Sequence, residues 1–384
     1  MTQKIERFLA ERRPPTPCLV FDLDVVEQNY QDMRHALPDA QIYYAVKANP
    51  APEILSLLVE LGSRFDTASV AEIRMVLQAG AKPEHISFGN TIKKQVDIAT
   101  AYALGVRLFA FDSEAELNKL ALAAPGSNVF CRILTSGAGA DWPLSRKFGC
   151  SVGMAEALLK IAPAKGLTPV GVSFHVGSQQ RDPDQWDNAL GQTADLFRRL
   201  EAEGVHLSLV NLGGGFPTRY RRELPTTAEY GVAIRHALER HFGNRLPNTI
   251  IEPGRGMVGN AGVIQTEVVL ISRKSANDND PAHANEDNRR WVYLDIGKFG
   301  GLAETMDEAI QYPIVSERTG PTEAVILAGP TCDSADVLYE KADYQMPLSL
   351  EIGDKLEIQA TGAYTTTYAA VAFNGFQPLE AYYI

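Results

Sequence analysis

The sequence is poor in cysteine, and its few cysteines are far apart. It contains four (Cys18, Cys131, Cys150 and Cys332), and no two of them form a CxxC pair. Disulfide-rich secreted domains and cysteine-based zinc sites both need a recurring cysteine framework, so neither is indicated here. We expect no metal site and a reducing, cytoplasmic compartment.

The sequence also lacks an excess of basic residues and any long hydrophobic run. Its net charge of -11 at pH 7 argues against nucleic acid as a partner and favours solubility. No apolar stretch approaches the roughly 20 residues that a membrane span requires. The segment Met1–Pro15 is charged and carries no signal-peptide core. We therefore expect neither nucleic acid nor a membrane among its partners.

Short apolar strands alternate with amphipathic helices over the first 250 or so residues. Pro52–Leu61 and Val70–Ala79, for example, have apolar residues at the helical spacing i, i+3, i+4 and i+7. Because the first four candidate strands begin 22 residues apart, each corresponds to one compact βα unit, and the alternation predicts a parallel sheet. The candidate strands are Ile42–Val46, Arg64–Thr67, Ile86–Phe88, Leu108–Phe111, Val129–Ile133, Gly171–His175, Leu209–Leu212 and Thr249–Glu252.

Polar or glycine residues stand at the C-terminal end of each candidate strand. They are Lys47, Asp66, Asn90, Asp112, Arg132, His175, Gly213–Gly215 and Glu252. A TIM-type barrel builds its active site at this end of the strands. The pattern favours an α/β fold with a (β/α)8 barrel over a doubly wound sheet, although strand ends are polar in either fold.

After Gly262 the long helices disappear. Val263–Ser272, Trp291–Asp295, Ala324–Ala328 and Lys355–Gln359 have the composition of strands, and Cys18–Leu23 could add another. We therefore predict a barrel over residues 24–262 and a second, mainly β domain formed by residues 1–23 and 263–384. The polar stretch 273–290 is predicted to be a mobile insertion.

Several strand ends carry residue types with distinctive chemistry. Lys47 ends the apolar stretch Ile42–Val46, where desolvation would lower its pKa and favour a Schiff-base nucleophile, although a solvated loop lysine fits equally well. Gly213–Gly215 either forms a flexible loop or lets backbone N–H groups converge on a phosphate. Glu252 and Arg255 form a local ion pair or bind, respectively, a protonated nitrogen and a phosphate.

Three further positions extend this set. His175 is a structural histidine or a flat ring lying against a cofactor. Cys332, with Asp333 beside it, is an inert loop thiol or a proton donor next to a cation-binding carboxylate. Tyr364 offers a hydroxyl to a phosphate. Together, these residues fit a cofactor with an aldehyde, a ring nitrogen and a phosphate, which is pyridoxal 5'-phosphate (PLP).

The ordered motifs AVKANP, FHVGSQ, GGGFP, EPGR, GPTCDSAD and GAYT resemble the fold-type III PLP-dependent decarboxylases, and most of all their ornithine/lysine decarboxylase branch. The resemblance covers nearly the whole chain. It implies an alanine-racemase-like (β/α)8 barrel with a β domain. It also implies a head-to-tail homodimer, in which Cys332 and Asp333 of one subunit complete the active site of the other.

The resemblance also implies a role for each matching residue. Lys47 would carry the cofactor, His175 would stack on its ring and Glu252 would pair with its ring nitrogen. The phosphate would be held by Ser178, Gly213, Gly214, Gly215, Gly254, Arg255 and Tyr364. Asp66, Glu72 and Arg132 match family positions close to the cofactor. Cys332 would return a proton to the substrate Cα, and Asp333 would bind the distal ammonium group.

The substrate is expected to be a basic amino acid, with L-ornithine to putrescine the leading reaction and L-lysine to cadaverine the next. Asp307 corresponds to the second amine-binding position of the family, but Glu304 or Glu308 could replace it, and Met306 stands where the family has a tyrosine. Diaminopimelate and arginine decarboxylases of the same fold remain as alternatives. A catalytically inactive binding protein of this fold is the non-enzyme alternative.

Overall fold

The computed structural model describes residues 1–142, 147–274 and 289–384, which divide into two compact units. The barrel unit contains Val26–Pro217 and Leu224–Met257, and the β unit contains Met1–Val25, Thr218–Glu223 and Val258–Ile384. The inclusion of Thr218–Glu223 in the β unit is not anticipated by any change in composition. Within the described ranges, no helix is long and apolar enough to cross a membrane.

The barrel unit is a closed barrel of eight parallel strands, so the predicted fold class is confirmed. In chain order, each strand pairs with the next, and the eighth pairs with the first through Ile251 and Ile42. The side chains of Tyr43, Leu209 and Ile250 form one of its buried apolar clusters. The strands are Ala40–Ala45, Arg64–Thr67, Ile86–Phe88, Leu108–Phe111, Asn128–Arg132, Thr168–Ser173, Leu209–Asn211 and Asn248–Ile251.

Helices alternate with the barrel strands, and local side chains fix where several of them begin. Ser69 and Ser113 each accept the backbone N–H of the residue three positions later, and Thr226 forms a capping box with Glu229. The helices are Leu23–Ala36, Pro52–Glu60, Val70–Gln78, Gln95–Ala103, Glu114–Ala123, Val152–Ile161, Gln185–Ala202, Thr227–Phe242 and Arg255–Val258. A small antiparallel ribbon joins Ala140–Trp142 to Ser178–Gln180.

The β unit is built on an eight-stranded sheet. The predicted strand at Cys18 is confirmed, because Cys18–Phe21 pairs with both Gly262–Gln265 and Glu380–Tyr383. The helix Gln3–Arg12 packs Ile5 and Leu9 against this strand. The strands are Cys18–Phe21, Gly262–Lys274, Arg289–Leu294, Ile314–Ser316, Thr322–Ala328, Val337–Pro347, Lys355–Gln359 and Glu380–Tyr383.

The predicted insertion 273–290 is corrected at both ends. Arg273 pairs with Arg290 and Lys274 with Arg289, so these four residues belong to a strand pair. The charged side chains of these residues suggested a loop. Arg290 is nevertheless buried, and its guanidinium donates hydrogen bonds to the carbonyl oxygens of Pro347 and Leu350. The rest of the predicted insertion, 275–288, lies outside the described residues.

Candidate active site

The barrel unit brings together the predicted site residues that belong to it, at the C-terminal ends of its strands. Lys47 lies in the single 3-10 turn Val46–Ala48 that follows the first strand. Its Nζ is 4.0 Å from Oδ2 of Asp66 on the second strand, and about half of the lysine side chain (52%) is exposed. The amine is therefore accessible, yet it lies beside a carboxylate that is almost fully buried.

Asp66 is a buried acid whose hydrogen bonding is incomplete. The residue is 6% exposed, and among the described residues its Oδ1 atom has no hydrogen-bond partner. Burial, then the nearby Glu252, raise the pKa of Asp66 well above its ordinary value; Lys47 opposes them and Glu72 adds to the rise. Glu72 accepts the backbone N–H of Ala68 at 2.6 Å, and burial raises its pKa too. A buried, unsatisfied acceptor of this kind marks a place for a ligand.

Glu252 follows the eighth strand and is held by its neighbours. Nδ2 of Asn211 donates to its Oε1 at 2.5 Å, and its backbone N–H donates to the carbonyl oxygen of Gly213 at 2.8 Å. Asn211 ends the seventh strand and is fully buried. The carboxylate is thus oriented by a neutral amide and by the backbone of the glycine loop.

The three glycines after the seventh strand have backbone positions that a side chain would not fit. Gly213 and Gly215 have φ of +66° and +101°, and a Cβ on Gly213 would lie 2.2 Å from the carbonyl oxygen of Phe174. A Cβ on Gly214 would lie 2.6 Å from the carbonyl oxygen of Glu252. Close backbone approach without side chains is what an anion-binding loop requires.

The guanidinium of Arg255 places a buried positive charge among the same residues. Arg255, which follows Gly254, is only 3% exposed, and its Nη2 donates to Oγ of Ser178 at 3.3 Å. A guanidinium this deeply buried is costly unless it has an anionic partner. The arginine, the serine and the glycines are therefore suited to a phosphate.

His175 and Arg132 complete the barrel group. Burial, then the charges of Arg132 and Lys47, lower the pKa of His175 well below its ordinary value, so the imidazole is neutral at pH 7. In agreement, its Nδ1 accepts the backbone N–H of Gly177 at 3.3 Å. Burial lowers the pKa of Arg132, opposed by Glu252, Asp112 and Asp66. The site residues of the barrel unit therefore carry charges of both signs, and the imidazole of His175 lies among them as a neutral group.

A second group of predicted site residues lies in the β unit. Cys332 is exposed, and its backbone N–H donates to Oδ1 of Asn374 at 3.1 Å. Asp336 is 2% exposed and accepts the backbone N–H of Thr331 at 3.1 Å and of Lys298 at 2.8 Å. Its buried carboxylate thus ties the loop that carries Cys332 and Asp333 to the strand connection at Lys298. Tyr364 lies in the same unit, with a left-handed φ of +63°.

The three acidic residues of the turn Ala303–Glu308 differ in their surroundings. The Glu308 carboxylate accepts the backbone N–H groups of residues 340, 341 and 342 at 2.6–2.7 Å. Glu304 is buried at 6% exposure. Asp307 is exposed and has φ +53°, and Met306 beside it is also exposed. Asp307 is therefore the one of the three that is presented to solvent.

Sequence reasoning missed two positioning roles in these groups and left Glu308 among the amine-binding alternatives. Asp336 ends the motif GPTCDSAD and Asn211 lies two residues before GGGFP, but the sequence interpretation assigned roles only to neighbours with more reactive side chains. The available signal was a short amide or carboxylate side chain at the boundary between a strand and a loop, where such side chains bind nearby backbone N–H groups.

A family model and individual relatives place the chain in the same family. Residues 23–259 match the family model described as the pyridoxal-dependent decarboxylase, pyridoxal binding domain. The chain is 37% identical to the lysine/ornithine decarboxylase of Selenomonas ruminantium, over 98% of this chain and 91% of the relative. It is 33% identical to the ornithine decarboxylase of Rattus norvegicus, over 95% of this chain and 80% of the relative.

Solved structures agree with this assignment. The structure of SrLDC in complex with PLP and cadaverine has a TM-score of 0.86 and 36% identity, over 99% of this chain and 93% of that one. The arginine decarboxylase of Paramecium bursaria Chlorella virus bound to agmatine has a TM-score of 0.88 and 27% identity, with complete coverage of both chains.

The residues of the barrel unit fit the cofactor of this family, PLP. The accessible amine of Lys47 suits its aldehyde, Glu252 suits its ring nitrogen, and the glycine loop with buried Arg255 suits its phosphate. The chain belongs to the fold-type III PLP-dependent decarboxylases, in the ornithine/lysine decarboxylase branch, and is an amino-acid decarboxylase acting on basic substrates.

Proposed function

We propose that the protein converts L-ornithine to putrescine, a reaction of polyamine biosynthesis, with L-lysine to cadaverine as its second reaction. The observation that carries this proposal is the arrangement of acids in the β unit. Asp307 is exposed on a left-handed turn, whereas the carboxylate of Glu308 is engaged by three backbone N–H groups. An exposed carboxylate suits the distal ammonium group of a diamino acid.

The residues assigned to the cofactor are those of the barrel unit. Lys47 would hold the cofactor covalently at its aldehyde through its amine. Gly213, Gly214, Gly215 and Gly254 approach the phosphate with their backbone, Ser178 and Arg255 bind it with their side chains, and Tyr364 is assigned to it by family resemblance. When bound, the cofactor provides an electron-accepting ring that stabilises the negative charge left on Cα as CO2 departs.

The other residues tune that ring and the proton movements around it. The carboxylate of Glu252 holds a proton on the ring nitrogen by charge. His175 would stack on the ring, and its lowered pKa suits this role because a neutral imidazole adds no positive charge. Asp66, Glu72 and Arg132 balance the charge around Lys47.

The residues of the β unit are assigned to the substrate. The Cys332 thiol would supply a proton to Cα once CO2 has left, and Asp333 and Asp307 would bind the distal ammonium group. By the resemblance of the motifs, Cys332 and Asp333 act in the site of a second copy, so the functional unit is a homodimer. The scarcity of cysteine in the sequence supports a reducing, cytoplasmic setting for it.

Two rival substrates remain. The similarity to a viral arginine decarboxylase keeps L-arginine as the nearer one, since a guanidinium group also needs a carboxylate. Diaminopimelate is the more distant, because its distal carboxylate would be repelled by Asp333 and Asp307.

Comparison of CO2 release from ornithine, lysine, arginine and diaminopimelate by kcat/KM tests this proposal. We expect ornithine to give the highest value and lysine the next. Asp307→Asn should raise KM for ornithine by about tenfold or more, because a charge-assisted contact to the ammonium group is lost. Glu317→Gln, at another exposed acid of the β unit, is the matched control. A highest kcat/KM on arginine or diaminopimelate would contradict the proposal.

A further inference from the structure

Asn211 connects the two parts of the barrel site that the proposed function assigns to different ends of the cofactor. It is the last residue of the seventh strand and is fully buried. Nδ2 donates to Oε1 of Glu252 at 2.5 Å, and Oδ1 accepts the N–H of Gly213 at 2.9 Å. These partners fix the orientation of the carboxamide, because an N–H cannot bind Nδ2 and an ionised carboxylate cannot donate to Oδ1.

The backbone closes this connection into a ring of hydrogen bonds. The N–H of Glu252 donates to the carbonyl oxygen of Gly213 at 2.8 Å. Gly213 in turn has little freedom, since its φ is +66° and a Cβ there would lie 2.2 Å from the carbonyl oxygen of Phe174. Any movement of the Glu252 carboxylate would therefore strain contacts with the glycine loop.

The charges around Glu252 explain why a neutral donor suits this position. The charged or titratable groups that interact with Glu252 include Asp66, Arg132 and Tyr43. The amide of Asn211 donates its hydrogen bond to Oε1 without adding a charge to this group. A second carboxylate at 2.5 Å would instead share a proton with Glu252.

We infer that Asn211 is a positioning residue that holds the Glu252 carboxylate aligned toward the cofactor ring and couples it to the phosphate-binding glycine loop. The inference rests on the proposed pairing of Glu252 with the ring nitrogen. Asn211 itself would act only through Glu252 and Gly213.

Two substitutions of Asn211 distinguish its hydrogen bond to Glu252 from its hydrogen bond to Gly213. Asn211→Ala removes both side-chain hydrogen bonds. Asn211→Asp keeps the size and the acceptor for Gly213 but replaces the donor by a second carboxylate. Asn248→Asp is the matched control, because Asn248 lies at the opposite, exposed end of the neighbouring strand. The measurements are the Kd of PLP for the cofactor-free protein, kcat and KM at saturating PLP as a function of pH, and the melting temperature.

For Asn211→Ala we expect weaker PLP binding and a kcat lower by about tenfold or more, since a buried hydrogen bond to a charged group is lost. KM for the amino acid should change by less than about threefold, because Asn211 is not assigned to the substrate. Asn211→Asp should approach wild-type kcat at acid pH, where a shared proton restores the donor, and lose activity as the pH rises. Asn248→Asp should follow the wild type throughout.

The visible spectrum of a Glu252→Ala variant serves as the reference for the underlying assignment. If both Asn211 variants keep wild-type kcat and pH dependence while Glu252→Ala is impaired and has an altered spectrum, the inference is overturned and the proposed role of Glu252 stands. If Glu252→Ala leaves both the spectrum and kcat unchanged, the ring-nitrogen assignment fails and the inference fails with it. If the Asn211 variants change only the affinity for PLP, Asn211 supports the glycine loop alone, and this outcome also overturns the inference.

Discussion

At the scale of single residues, the type of a side chain limits its chemistry and its neighbours select among the remaining possibilities. A lysine at a strand end is compatible with a solvated loop. Lys47 differs because its amine lies 4.0 Å from Asp66, a buried acid with an unsatisfied oxygen. The motif pointed to Lys47, whereas the orphaned acceptor could not be deduced without the fold. Asn211 shows the reverse case, a chemically modest residue that gains a positioning role through its contacts.

Lys47→Ala should remove the visible absorbance band of the PLP-bound protein, because no amine remains to bind the aldehyde covalently. Decarboxylation should fall by several orders of magnitude, since the covalent route is lost. Absorbance spectra after addition of PLP measure this directly, with exposed Lys94→Ala as the control. A wild-type band in Lys47→Ala would rule out this lysine as the attachment site.

At the scale of secondary structure elements, the periodic βα pattern predicts the barrel well because each helix buries one apolar stripe. The connections are harder to predict, since they depend on individual polar contacts. Lys93 is an example: its fully buried Nζ donates to the carbonyl oxygens of Asn90 and Ala110, both at 2.7 Å. It also pairs with Glu116 at 3.1 Å. This lysine therefore links the loop after the third strand to the fourth strand and to the helix that follows it.

Lys93→Ala should lower the free energy of unfolding by about 2 kcal/mol or more, because Glu116 loses one of its two lysine partners (Lys119 remains) and two carbonyl oxygens lose their donor. Lys94→Ala, at the adjacent exposed lysine, should change it by less than about 0.5 kcal/mol. Urea denaturation of the cofactor-free proteins measures both. Equal effects of the two substitutions would contradict a buried ionic link.

The same lysine predicts a pH dependence. Burial lowers the pKa of Lys93 from 10.5 to about 8, although Glu116 opposes the shift. Between these values the folded protein has released a proton that the unfolded chain still holds. The stability of the wild type relative to Lys93→Ala should therefore increase from pH 8 toward pH 10.5, by at most about 1.4 kcal/mol per pH unit.

At the scale of the whole molecule, the proposed chemistry is divided between two units. Lys47, His175, Glu252 and Arg255 belong to the barrel unit, whereas Cys332, Asp333 and Asp307 belong to the β unit. The motif resemblance led us to propose that the two groups meet across a homodimer. If the two groups meet in this way, a substitution in the barrel unit and a substitution in the β unit damage different halves of each site. Two such variants should then complement each other in a mixed dimer.

Mixing the Lys47→Ala and Cys332→Ala variants under conditions of subunit exchange should therefore restore activity above the sum of the two. A random mixture contains half mixed dimers with one intact site each, so recovery should approach about a quarter of the wild-type value. Lys47→Ala mixed with Glu252→Ala is the control, since both changes lie in the same unit. Recovery in the control, or none in the test mixture, would contradict a shared site.

The sequence by itself determined the barrel and the β domain, and it proposed the residues with reactive side chains. Hydrophobic periodicity and strand-end chemistry are local properties that can be read along the chain. Only the tertiary structure decided which polar groups satisfy one another. It extended the strands through Arg273 and Arg290, engaged Glu308 with three backbone N–H groups and joined Asn211 to Glu252. Such partners come from distant parts of the chain, and whether a buried polar group is satisfied depends on the folded neighbours that surround it.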